Sequence, residues 1–127
     1  MARANVTVDV RHISPAVSLI DIEGTVILFA EQRLMEAHDE AALPTTRVII
    51  LNFSGLDYMC GGIGLLILLL RHVTYQKQRL LSYGLSDHYR HIFTLTRFNE
   101  MIPIHESEAE ALATQEGERV LMRHLPS

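Results

Sequence analysis

Cysteine is almost missing from this chain. Cys60 is the only one among 127 residues, so no disulfide can close within the chain. A lone thiol fits a reducing compartment, and a cytoplasmic location is expected. Runs of basic residues are missing too. Lys and Arg number 11 against 15 Asp and Glu, the net charge is −4, and the pI is near 5.9. That balance lacks the basic stripe of a nucleic-acid binder. The opening MARANVTVDV has no apolar stretch of the signal-peptide kind. The apolar run Ile63 to Leu70 falls well short of the roughly 20 residues a membrane-spanning helix needs, so no membrane span is expected. Hydroxyls are missing from one particular place: no Ser or Thr lies between Ser54 and Thr74. The glycines there are not followed by Lys-Ser/Thr, which excludes a phosphate-binding P-loop. Internal repeats, low-complexity segments and linkers are absent as well.

What is present is an ordinary globular composition, 48% apolar and 20% charged. The length favours one domain, residues 1–127, with a modest core. Residues 1–4 and 118–127 are expected to be loose ends. Val6, Val8 and Val10 alternate with polar residues, the period of a half-buried strand, and Val17 to Ile22 continues in that style. Glu23-Gly24 is expected to turn the chain. Phe29 to Ala42 has helical spacing and ends before Pro44. Arg47 to Phe53 is nearly all apolar, as in a strand covered on both faces. Gly61 to about Gln76 reads as a helix, apolar almost all round and therefore buried. Leu80 to Gly84 reads as a strand. Ser86-Asp87 caps a helix over His88 to Thr96. Ile102-Pro103-Ile104 suits an edge strand. Ser107 and Glu110 form a capping box for a last helix, Glu108 to about Gln115. Alternation of this kind builds a sheet with helical crossovers.

In that order the chain resembles the STAS family, the bacterial anti-sigma factor antagonists. The likeness rests on VIILNFSGLDYM (Val48 to Met59), on GIGLLILLL (Gly62 to Leu70), and on LSYGLSDHYRHIFTLTRFNEMIPIHESEAEALA (Leu81 to Ala113). The resemblance implies a single STAS-like α/β domain, with a mixed β-sheet of about four to five strands and about four helices packed on one side. It implies a protein-binding regulator of transcription rather than an enzyme. Its partner would be an anti-sigma factor, in some cases of the serine-kinase type. In the family, a Ser or Thr at the start of the central helix is phosphorylated to break the complex. The physics is reasonable: phosphate adds about −1.5 to −2 charge at pH 7, which a helix N-terminus tolerates and a partner surface fitted to a neutral hydroxyl does not.

This chain departs from that pattern. Counting forward from the strand, the phospho-acceptor position falls on Gly61; counting back from Ile63, it falls on Cys60. Neither can be a Ser/Thr phosphosite, so phosphorylation at this turn is not expected to switch the protein. Family likeness carries partner binding to Asp57, Tyr58, Met59, Cys60, Gly61 and Gly62, and extends it to Ser86 and Asp87. Bland readings stand beside several of these. Gly61 and Gly62 could cradle an anion, but a tight strand-to-helix turn is reason enough for them. Cys60 could be a low-pKa thiol, yet the nearest downstream histidine, His72, lies about three helical turns away. His88 and His91 share a helix face at i, i+3 but lack a third ligand. No catalytic residue, metal or cofactor is therefore assigned. Glu106, Glu108 and Glu110 read as a solvated face.

The leading expectation is thus an anti-sigma factor antagonist that binds through the turn and is not switched by phosphate there. The alternative is a non-phosphorylatable STAS scaffold subunit, as in a stressosome-like complex or a homodimer. A small-ligand or nucleotide-binding module comes third.

Overall fold

The computed structural model describes residues 6–26, 31–59 and 62–113. Phe29, the start of the first expected helix, and both expected loose ends lie outside them. A five-stranded sheet runs in sequence order: β1 (Val6–His12), β2 (Val17–Val26), β3 (Val48–Met59), β4 (Arg79–Tyr83) and β5 (Ile104–His105). β1 pairs antiparallel with β2, and the other pairs are parallel. The parallel connections carry the helices: α1 (Glu31–Ala41) between β2 and β3, α2 (Gly62–Tyr75) between β3 and β4, and α3 (Asp87–Leu95) with α4 (Phe98–Met101) between β4 and β5. A last helix, α5, occupies 108–113 within the described residues.

Alternation along each strand makes two cores. On one face Val8, Ile20, Ile22, Ile49, Leu51, Phe53 and Leu80 pack against α1, α2 and α3. α1 contributes Leu34, Ala37, His38 and Ala41, spaced i, i+3, i+4, i+7 along one side of the helix. On the other face Val17, Leu19, Val48, Ile50, Leu81 and Tyr83 pack against Ala111 of α5. Helices therefore do not sit on one side only. The central strands β2 and β3 are apolar on both faces, and α5 covers the second.

Several boundaries differ from expectation. Glu23-Gly24 does not turn the chain: β2 runs through it to Val26, paired with Val6 and Thr7 on one side and with β3 on the other. Gly24 absorbs the irregularity with φ 91°, between two register shifts. β3 is likewise longer than its apolar centre, reaching Met59 because the extended β2 arm pairs with it at Tyr58 and Met59. α4 was not expected. Arg97 takes φ 63°, which breaks α3 and lets Phe98 start a new short turn. α2 is not buried all round. Leu65, Leu66, Leu69 and Val73 face the core, while Ile67 is 45% exposed. No helix among the described residues is long and apolar enough to cross a membrane.

Candidate functional site

β3 delivers its last residues beyond the body of the sheet. Asp57 is exposed and Tyr58 is 55% exposed. Alternation then turns Met59 inward, where it is buried in the helix-covered core. Met59 therefore has no side chain to offer a partner, a correction to its expected surface role. Its backbone N–H donates to the Tyr89 hydroxyl at 2.8 Å. Tyr89 belongs to the first turn of α3, and its own N–H donates to Ser86 Oγ at 3.4 Å, the N-cap interaction. One tyrosine thus ties the end of β3 to the start of α3 and brings Asp57, Tyr58, Ser86 and Asp87 to the same end of the molecule. The Tyr89 hydroxyl bond spans 30 residues, so no local sequence signal marks it. Cys60 and Gly61 lie outside the described residues. Gly62 is the first residue of α2.

Close backbone packing supports this end. A Cβ on Gly84 would lie 2.4 Å from Ser54 Oγ and 2.6 Å from Ser54 N, and Gly84 has φ 83°. Only glycine fits there, so β3 and the segment leading to α3 approach closely. A Cβ on Gly55 would meet Glu23 Cγ at 2.6 Å. Along Glu23–Thr25, 54–58 and 86–88 the charged residues are Glu23, Asp57 and Asp87, all exposed and all acidic. From the turn, α2 carries the exposed positions Gly64 and Ile67 outward, and space beside Gly64 is open.

The opposite sheet face holds a polar network. Arg11 reaches Asp21 with two hydrogen bonds, 2.7 and 2.9 Å, and Glu108 of α5 with a third at 2.8 Å. Asn52 Nδ2 donates to Asp21 at 2.6 Å, and the Tyr83 hydroxyl donates to Glu108 at 3.3 Å. Asp21, Asn52, Tyr83 and His105 are register partners across β2 to β5. Burial pushes the Asp21 carboxyl upward, but the Arg11 and Asn52 hydrogen bonds outweigh it and hold its pKa below the ordinary value. Burial, then the nearby Glu108 charge, pushes the Tyr83 phenol up to about 12. The carboxylates expected on a solvated face do lie at the surface, and each is also paired. Glu106 binds Arg90 at 2.6 Å, Glu108 binds Arg11, and Glu110 lies 3.3 Å from His105 Nδ1. They link α3 to the segment after β5, and α5 to β1 and β5.

A mixed five-stranded sheet with helices on both faces defines a single-domain α/β fold of the anti-sigma factor antagonist type. The chain belongs to the STAS domain family, whose model matches residues 7–111. Its fold is similar to that of the anti-sigma factor antagonist SpoIIAA in its unphosphorylated form, with TM-score 0.70 and 19% identity over 87% of this chain and 97% of that one. It is equally similar to an anti-sigma factor antagonist from Mycobacterium paratuberculosis, with TM-score 0.70 and 20% identity over 89% and 96%. The Bacillus cell fate determinant SpoIIAA in its phosphorylated form matches with TM-score 0.62 and 18% identity over 85% and 98%. No curated protein matches the chain in sequence.

Proposed function

We propose that this chain is a non-enzymatic, protein-binding regulator of the anti-sigma factor antagonist type. It engages an anti-sigma factor through the β3–α2 turn and is not released by Ser/Thr phosphorylation there. The observation that carries this reading is the turn itself. The described residues that flank it, Asp57 and Tyr58 at the end of β3, are exposed, and the sequence Cys60-Gly61-Gly62 offers no hydroxyl to a kinase. The matched SpoIIAA structures include a phosphorylated form of that protein; here the corresponding chemistry has no acceptor. The surrounding rim is acidic and half-apolar, suited to a partner that presents basic side chains around an apolar centre. Such a partner would hold the protein until competition or dilution released it.

Two substitutions test this. Tyr58→Asp and Ile67→Asp each place a new charge on the exposed surface without touching the core. Each should weaken binding to a cognate anti-sigma factor by more than about tenfold, in the range of an interface hot spot, while thermal melting stays near wild type. Unchanged affinity in both would place the interface elsewhere. Incubation with a kinase-type anti-sigma factor and ATP, followed by peptide mapping, addresses the switch. Phosphate on Ser54, Tyr58 or Ser86 with loss of binding would overturn its absence.

A second reading, a STAS scaffold subunit, is favoured by apolar side chains left open on the helical side: Ile67, Tyr75, Leu95 and Met101. Light scattering after size exclusion separates the two. A strict monomer supports the single-partner regulator.

A further inference from the structure

His38 is the one histidine among the described residues whose side chain is almost fully enclosed, at 1% exposure. Burial of an imidazole requires partners for both nitrogens. Nε2 has one, the Gln78 Oε1 at 3.1 Å. Nδ1 has no hydrogen-bond partner. A carbonyl oxygen only accepts, so Nε2 is the donor there, and in the neutral form of the ring the lone pair lies on Nδ1. Two exposed groups lie close to the ring: the Asp39 carboxylate, 3.7 Å from Nδ1, and the His72 imidazole, whose ring centroid is 5.1 Å from that of His38. One ligand atom from each of His38, Asp39 and His72 falls within 4.8 Å of the others.

We propose that His38, Asp39 and His72 bind a divalent metal ion of the zinc class, with water completing the shell. Two imidazoles and a carboxylate are a zinc-type donor set, and imidazole favours such ions over magnesium or calcium. Around a tetrahedral zinc with bonds near 2.0–2.1 Å, donor atoms sit about 3.3 Å apart. The observed separations exceed that spacing, and the two donors that must move in, Asp39 and His72, are both exposed. Gln78 plays the part of the outer partner that fixes the tautomer of a ligating histidine. It is held there by backbone: Lys77 turns left-handed at φ 60°, and the Gln78 N–H caps α2 through the Val73 carbonyl at 2.9 Å. Charge is favourable as well. His38 and His72 lie in the last turns of α1 and α2, where the helix dipoles are negative and a cation is stabilised. The site is separate from the proposed partner surface. His72 lies ten residues along α2 from Gly62, ~15 Å at the helical rise. His88 and His91, which share a helix face but lack a third ligand in the sequence, belong to no three-ligand group among the described residues; His38, Asp39 and His72 come from two helices, which spacing along the chain does not reveal.

The test uses the untagged full chain, Zn2+ titrated by calorimetry and by competition with a chromophoric chelator. Expected are one Zn2+ per chain, a rise in Tm with Zn2+ that a chelator reverses, and weakening as pH falls and the imidazoles protonate. His72→Ala should weaken binding by more than about 100-fold, and Gln78→Leu by about 10- to 100-fold, as for an outer partner. Nitrogen-15 spectra should shift His38 Nδ1, not Nε2. His88→Ala, Cys60→Ser and Tyr58→Asp should bind as wild type. Retained affinity in His72→Ala, loss in Cys60→Ser, or no stoichiometric binding by wild type would each overturn the proposal. Because His72 and Asp39 are exposed, their removal tests the site even where His38→Ala fails to fold.

Discussion

Asp21 accepts three hydrogen bonds: two from Arg11 and one from Asn52. Its charged form is therefore favoured in the folded protein more than in the unfolded chain, where a carboxyl titrates near ~3.9. The sign follows directly. Stability from Asp21 is fully present above the unfolded value and drains away as pH falls through the lower folded value. Asp21→Asn should flatten the acid limb of a stability-against-pH curve measured by urea unfolding; an unchanged limb would place the acid sensitivity elsewhere. Tyr83 works in the opposite direction. Its phenol is raised to about 12 in the fold and ionises near ~10 when unfolded. Its contribution is complete below the unfolded value and is lost as pH climbs from there to the folded one. Tyr83→Phe should remove that alkaline loss and, by freeing Glu108 of one donor, cost about 1 kcal/mol at neutral pH. Ultraviolet titration of the tyrosinates reads the first effect, and urea midpoints read the second.

At the scale of elements, the ends carry most of the chemistry. α2 stops because Lys77 enters the left-handed region, a conformation that costs a side-chain-bearing residue roughly 1–2 kcal/mol and glycine almost nothing. Lys77→Gly should therefore raise stability by about 0.5–1 kcal/mol, part of the gain being offset by the looser unfolded chain; a lower Tm would show that the lysine stem packs usefully. α3 begins at Ser86, whose side chain caps Tyr89 N–H. That cap was readable from Ser86-Asp87 because capping is a local matter of one side chain and a backbone three residues on. The same locality explains why Ser107 is found where expected, its Oγ accepting from Glu110 N–H at 3.1 Å. Extensions of β2 to Val26 and of β3 to Met59 were not readable. Their residues alternate poorly, and they are strands because each supplies the other's hydrogen bonds.

For the molecule as a whole, the two-faced sheet has one strong cover and one light one. α1, α2 and α3 cover the first face, whereas the second relies on Ala111 and the half-buried Leu112 of α5, tethered by Arg11–Glu108. Ala111→Asp places a charge in that fully buried position and should cost about 2–3 kcal/mol. Hydrogen exchange should quicken first in α5 and β5 and leave β2 and β3 protected; uniform loss of protection would mean that the second face is essential to the whole cooperative unit.

The sequence by itself determined the fold class, the succession of strands and helices apart from α4, the helix caps at Ser86 and Ser107, the family likeness and the missing hydroxyl at Cys60-Gly61-Gly62. All of these depend on periodicity or on contacts a few residues long. Tertiary structure alone decided that Met59 turns inward, that Tyr89 binds β3 to α3, that Glu108 answers Arg11 across 97 residues, and that His38 meets His72 between two helices. Those pairings are made by the packing of distant segments, where spacing along the chain carries no record of spacing in space.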